Sequence, residues 1–351
     1  MGGSTDAASP IPHPTAQPAY AVLLDLFATP GGFNIALADA SGRIVARATA
    51  AERTSINDAI ELPYVSASKS HVYYLDGDRT VRSLNVDGTT GIAATISGGP
   101  SVHATFAVTP DDTRIAVGLL DYSVNPVRLT VYVEDLGGAH HQVIFTSTNH
   151  YVWPVGWHAG QLVVAYLGPN AVPFKSKTQL YSNGDLIHYP YGQSPYGGIN
   201  FHVINPVTAA REVIISGGGA SGLLSRAGTA VVQGDATDWS GNWINWNSPH
   251  DYGTFSAAGS LSPDGQMIAA CCPTPAAGGN LVIWYRDDVT KVLPVVVTAS
   301  DWVGWLDDDH VVTGFYRADD GTPSVIQLSS GAVVPIAAHG IVVAIFPSNL
   351  E

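Results

Sequence analysis

Short apolar runs separated by tight polar turns dominate the chain. One pattern occurs four times: an apolar stretch enters an acidic or glycine turn, and a second apolar stretch follows. The copies are residues 106–117, 155–164, 261–270 and 303–312. Val, Ile, Leu, Tyr and Thr fill the runs, Gly, Pro, Asp and Asn fill the gaps, and a 3.6-residue period is nearly absent, which predicts an all-β chain. Apolar anchors begin near Tyr64, His103, Val152, Ser221, Ala258, Trp302 and Ile341. Their spacing, about 40–50 residues, suits a four-stranded repeating unit; the interval from Val152 to Ser221 is longer by roughly half a unit.

The order within a unit is legible. The stretch 257–297 divides into strands at 257–261, 266–272, 280–285 and 291–297, with Ser262-Pro263-Asp264-Gly265 as the first hairpin turn. Pro pre-sets φ at its position and Gly accepts a positive φ. The stretch 103–146 divides in the same way, at 103–108, 113–119, 127–134 and 141–146. The first unit has strands at 20–27, 33–39 and 43–48 and is one strand short, while one extra strand, Ile341–Phe346, follows the last unit. Pairing the two ends would close a ring and remove an exposed sheet edge. The prediction is a single seven-bladed β-propeller spanning 20–351; six or eight blades also fit the spacing, because the fifth unit is the faintest.

The motifs Leu261-Ser-Pro-Asp-Gly-Gln, Val108-Thr-Pro-Asp-Asp-Thr and Gly304-Trp-Leu-Asp-Asp-Asp-His resemble bacterial TolB-like and WD-type propeller repeats over most of 20–346. The Trp-Asp dipeptide that ends the third strand of true WD repeats is missing; that strand in the sixth unit ends Trp284-Tyr285-Arg286. The resemblance implies a fold rather than an activity.

Composition narrows the partners. The net charge is −14, from 29 acidic and 15 basic residues, with no Lys/Arg cluster. A nucleic-acid backbone or an anionic lipid surface is therefore an unfavourable partner. The only cysteines, Cys271 and Cys272, are adjacent and form neither a disulfide framework nor a metal motif. No run approaches the ~18 apolar residues of a membrane span. Residues 1–19 are rich in Gly, Ser, Pro, Ala and Thr and read as a disordered tether. Their Gly-Gly-Ser-Thr start looks like the residues that follow the lipidated cysteine of a bacterial lipoprotein, which points to an exported, cell-surface or periplasmic monomer with a lipid anchor upstream; a cloning linker accounts for the same residues equally well.

Candidate chemistry lies where the chain departs from its own repeat. The longest link between second and third strands is 168–198, with Tyr181, His188, Tyr189, Tyr191 and Tyr196. Links this long in compact domains are functional or disordered, and this one is too aromatic for typical disorder. A second aromatic run, with Trp239, Trp243, Trp246, His250 and Tyr252, belongs to the next unit. Flat rings with polar handles suit sugars or peptide side chains, so both runs together are expected to form a recognition rim on blades four and five. The competing explanation is that these aromatics pack the insertion onto the propeller. Trp153, Trp157, Trp302 and Trp305 recur at matched positions and are expected to pack between blades.

Other motifs are weak. Gly217–Gly222 fits G-x-G-x-x-G by letter but lacks a following helix, and reads as a loop. The turns at 307–309 and 319–321 lack the spacing of a calcium loop. His140, His141, His150, His158, His188, His202 and His250 would supply ligands only if the fold converged them. No zinc-protease motif and no G-x-S-x-G elbow occurs. The expected function is non-catalytic binding of a protein or glycan, with no cofactor. The alternative is a lyase- or hydrolase-type enzyme with its site over the central channel.

Overall fold

The computed structural model describes residues 18–54, 65–169, 200–215, 220–224, 230–235, 240–245, 251–256, 260–262, 266–271, 280–285, 290–296, 302–314 and 321–347. These residues form seven four-stranded antiparallel sheets. The first joins the two ends of the chain: β28 (Ile341–Phe346), β1 (Tyr20–Thr29), β2 (Gly32–Ala38) and β3 (Ile44–Ala51). The second is β4 (Val65–Ala67), β5 (Val72–Asp76), β6 (Thr80–Leu84) and β7 (Thr90–Thr95). The third is β8 (Val102–Val108), β9 (Arg114–Asp121), β10 (Arg128–Asp135) and β11 (Gln142–Ser147). The fourth is β12 (His150–His158), β13 (Gln161–Pro169), β14 (Asn200–Ile204) and β15 (Arg211–Ile215). The fifth is β16 (Ala220–Leu224), β17 (Ala230–Asp235), β18 (Ser240–Asn245) and β19 (Asp251–Ser256). The sixth is β20 (Ser260–Leu261), β21 (Met267–Cys271), β22 (Asn280–Tyr285) and β23 (Thr290–Val296). The seventh is β24 (Trp302–Trp305), β25 (His310–Gly314), β26 (Ser324–Gln327) and β27 (Val333–Pro335).

The first strands meet around a ring. β28, β4, β8 and β12 touch in succession, β16, β20, β24 and β28 do likewise, and β14 meets β16 between the fourth and fifth sheets. The expected closure by the C-terminal strand is present: Tyr20 pairs with Phe346 and Leu24 with Ile341. With strands lettered A to D outward from the ring, the A–B and C–D turns lie on one rim and the B–C and D–A connections on the other.

The core lies in layers between sheets. One apolar cluster spans the first three sheets, another joins the third to the fourth, a third joins the sixth to the seventh, and a fourth joins the seventh to the first. Trp153, Trp157 and Trp305 are buried in these layers, as their matched positions predict; the side chain of Trp302 is outside the described residues.

The acidic turns of the repeat act as backbone caps. Asp111 Oδ1 accepts from Thr113 N and Oγ1 at 3.2 and 2.7 Å, and Asp307 Oδ1 accepts from the amides of Asp309 and His310, both at 2.8 Å. Between β12 and β13, Ala159 and Gly160 have φ of 47° and 74°, the sign a tight two-residue hairpin requires. In the Ser262 turn, residues 263–265 are outside the described set; on either side of them Ser262 N donates to Met267 O at 2.8 Å. One expectation is corrected. Ala220, Ser221 and Gly222 are not loop but the start of β16, paired with Asp235, Gly234 and Gln233 of β17.

Candidate functional site

The described side chains that gather polar chemistry lie on the B–C/D–A rim of the third and fourth sheets. On the fourth sheet, His150 opens β12, Tyr166 lies near the end of β13 and His202 near the start of β14. Val152 pairs with Tyr166, and Val164 pairs with His202, so Tyr166 and His202 are diagonal neighbours on one face. A register shift between His150 and Val152 re-aims the histidine toward the tyrosine. Tyr166 Oη lies 2.9 Å from His150 Nδ1, and the Tyr166 ring is 4.9 Å from the His202 ring.

The third sheet carries a similar pair. His103, near the start of β8, meets Tyr122, just beyond β9, edge to face at 5.5 Å. Arg53, in the link from β3 to β4, donates to Ala104 O at 3.0 Å. Both histidines are buried, with relative exposures of 5% for His103 and 3% for His202. Burial, reinforced by Arg53, pushes His103 down to about 4 against the opposing pull of Asp78. Burial, then Arg211 and His150, pushes His202 down to about 4. Both imidazoles are therefore neutral at pH 7. Burial likewise raises Tyr122 and Tyr166. The result is an aromatic, hydrogen-bonding patch with two neutral, buried imidazoles.

The opposite rim treats histidine differently. His71 Nδ1 lies 3.2 Å from Asp112, His140 Nδ1 2.6 Å from Asp135, His141 Nδ1 3.0 Å from Glu134, and His310 Nδ1 2.9 Å from Asp307. All four pairs sit in or beside A–B or C–D turns, and Asp307 also caps its own turn. Among the described residues, no group of three or more His, Cys, Asp or Glu side chains could hold a metal ion.

The expected site residues fall as follows. Tyr181, His188, Tyr189, Tyr191, Tyr196, Trp239, Trp246 and His250 lie outside the described residues. β13 ends at Pro169 and β14 begins at Asn200, so the link carrying the first five leaves and re-enters beside Tyr166 and His202. Of the second aromatic run, Trp243 lies in β18 and Tyr252 in β19. β18 passes through it, with Trp239 before the strand, Trp243 within it opposite Val232, and Trp246 and His250 after it. The strand ends are about 17 Å apart. Tyr252 enters β19 beside Asp251, which pairs with Ile244 at the C–D end. Of the seven histidines considered as ligands, the fold brings His150 and His202 together and leaves His140, His141 and His158 at the other rim. His103, Tyr122 and Tyr166 were not singled out by sequence; their signal is position, the start of an A strand or the end of a B strand.

No helix among the described residues is long and apolar enough to cross a membrane. No protein-family model matches the chain, and no curated protein is similar to it in sequence. Solved structures are similar in fold. An oligogalacturonate lyase in complex with manganese aligns with a TM-score of 0.56 at 10% identity, over 84% of this chain and 81% of that one. The oligogalacturonate lyase of Vibrio parahaemolyticus aligns with a TM-score of 0.53 at 11% identity, over 87% of this chain and 90% of that one. TolB from Acinetobacter baumannii aligns with a TM-score of 0.45 at 14% identity, over 93% of this chain and 82% of that one. At these identities the likeness is one of fold, and the chain is a β-propeller.

Proposed function

We propose that this propeller is a non-catalytic binding protein that takes a protein or glycan ligand on the B–C/D–A rim of its third to fifth sheets. The observation that carries the reading is the hydrogen-bonded, aromatic Tyr166–His150–His202 cluster just beneath the point where the 170–199 link leaves the fourth sheet. Aromatic faces with neutral donors and acceptors suit hydroxyl-rich or peptide ligands. Tyr191, in the 170–199 link, and Trp239, which precedes β18 in sequence, belong to the proposed surface. Residues 1–19 serve as a tether that holds the propeller, 20–351, as a monomer at the cell envelope.

The second reading is a channel-mouth lyase, favoured by the fold likeness to two oligogalacturonate lyases. Against an anionic sugar stands the net charge of −14 with no basic cluster. A glycan and peptide binding screen, run with and without divalent metal, separates the readings. The expected result is saturable, metal-independent binding without turnover. Replacing Tyr191 and Trp239 together by Ala should abolish it with the melting temperature unchanged. Cleavage of a ligand, or undiminished binding by the double variant, overturns the proposal.

A further inference from the structure

The third and fourth sheets meet through an unusually polar contact at the B–C/D–A end. On β8, His103, Thr105 and Ala107 alternate onto one face. That face meets the fourth sheet: Ala107 O accepts from Trp157 Nε1 at 3.1 Å. A Cβ on Gly118, the partner of Thr105, would come 3.0 Å from Pro154 Cδ. On the fourth sheet, Trp157 pairs with Leu162, and alternation from Leu162 carries Val164, Tyr166 and their neighbour His202 onto the face that meets the third. The buried histidines among the described residues, His103 and His202, thus both point into this one contact.

Neither is hydrogen-bonded to a carboxylate that would hold a positive charge there. Both ring nitrogens of His103 and Nδ1 of His202 are buried without a hydrogen bond to protein. The groups facing His103 are Arg53 from the β3–β4 link, Asp78 from the β5–β6 turn and Tyr122 after β9, with Tyr151 of β12 close to Tyr122. Those facing His202 are His150 of β12, Tyr166 of β13 and Arg211 of β15. Two arginines and one further imidazole oppose a single carboxylate. Among the described residues, no buried histidine lies between the sixth, seventh and first sheets.

We infer that the contact between the third and fourth sheets is an acid-operated seam, which parts when His103 or His202 takes up a proton while the other inter-sheet layers hold. An imidazolium at either position is desolvated beside a guanidinium, and the relief available is for the sheets to separate and admit water. The parted end is the one from which the 170–199 link leaves. The inference does not depend on what binds there.

Hydrogen exchange of the full chain at pH 7 and pH 5, normalised to intrinsic rates, tests it. Each histidine that goes from about 4 when buried to an ordinary value when exposed multiplies the open population by roughly 20 between those pH values. Exchange in 102–121, 150–166 and 200–204 should rise by at least that factor, while 20–51 and 65–95 change little. The variant His103→Asn/His202→Gln should lose the acid response. Wild-type NMR titration of the imidazoles needs no variant to fold. If both titrate normally near pH 6.5 with protection intact, or if all sheets lose protection together, the inference falls.

Discussion

Trp157 of the fourth sheet donates its indole N–H to the Ala107 carbonyl of the third at 3.1 Å. The bond joins two sheets that share no backbone ladder. The indole is almost wholly buried, and the Arg114 guanidinium lies 5.2 Å from its ring centre. Its position also explains why a tryptophan follows Val-Gly in this unit of the repeat. The ring fills the layer between sheets, and its single polar atom reaches a carbonyl at the inner strand.

Removing that donor should be costly. Trp157→Phe removes the indole donor to the Ala107 carbonyl and opens a small cavity, so we expect a loss of about 1–3 kcal/mol. Urea unfolding should show a lower midpoint with an unchanged slope. A loss below ~0.5 kcal/mol would mean that water replaces the indole freely and that the inter-sheet bond contributes little.

The strands were legible because their signals are local. Apolar alternation and turn residues within each unit place the A strands of all seven sheets within a few residues of the sequence anchors, from Val65 for the anchor at Tyr64 to Ile341 for its own. The closure by β28 was legible for a different reason, since the first unit was one strand short and an unpaired run remained at the end. The Tyr166–His150–His202 cluster was not legible. It depends on a register shift at His150, on pairing between residues separated by the 170–199 link, and on which face of the sheet meets a neighbour. His103 was visible only as the start of a strand, because a buried neutral imidazole differs from an exposed one through the packing of a second sheet. Trp243 was grouped with its aromatic neighbours by composition, whereas its place within β18 depends on pairing with β17, which a local pattern does not show.

The seventh sheet supplies a pH-dependent prediction. Asp309 accepts from Ser329 N and Oγ, both at 2.8 Å, and from Gln327 Nε2 at 3.0 Å, tying the β24–β25 turn to the β26–β27 turn. Burial works to raise its pKa, but hydrogen bonds from Ser329 and Gln327 outweigh it and hold the carboxyl below its ordinary 3.8. A depressed folded value means stability that is present above the unfolded value and lost as pH falls through the folded one. Asp309→Ala should therefore cost about 1–2 kcal/mol at pH 7 and less at about pH 3. Chemical denaturation of both proteins at the two pH values checks this; an equal difference at both would show that the carboxylate's charge is irrelevant.

The closure of the ring depends on close backbone approach rather than on side-chain contacts alone. Gly314, at the end of β25, faces the chain that enters β28. A Cβ built on it would lie 2.6 Å from Gly340 O, 3.0 Å from Ile341 Cα and 3.1 Å from Val342 N. All three are backbone atoms, so no side chain can rotate away. Gly304 is constrained in the same place, its built Cβ lying 2.7 Å from Val342 Cγ1. Gly314→Ala must displace β28 from the seventh sheet, and β28 cannot follow without disturbing its ladder to β1. We expect a loss of about 1–3 kcal/mol, the usual range for overpacking. Gly137, whose built Cβ meets nothing within 4 Å, is the control, and Gly137→Ala should stay within ~0.5 kcal/mol of wild type. Loosening β28 also frees the edge of β1, so light scattering of the Gly314 variant should rise near its melting transition. Equal stabilities of the two variants would show that the seventh and first sheets have slack at this contact, and that closure rests on the β28–β1 ladder alone.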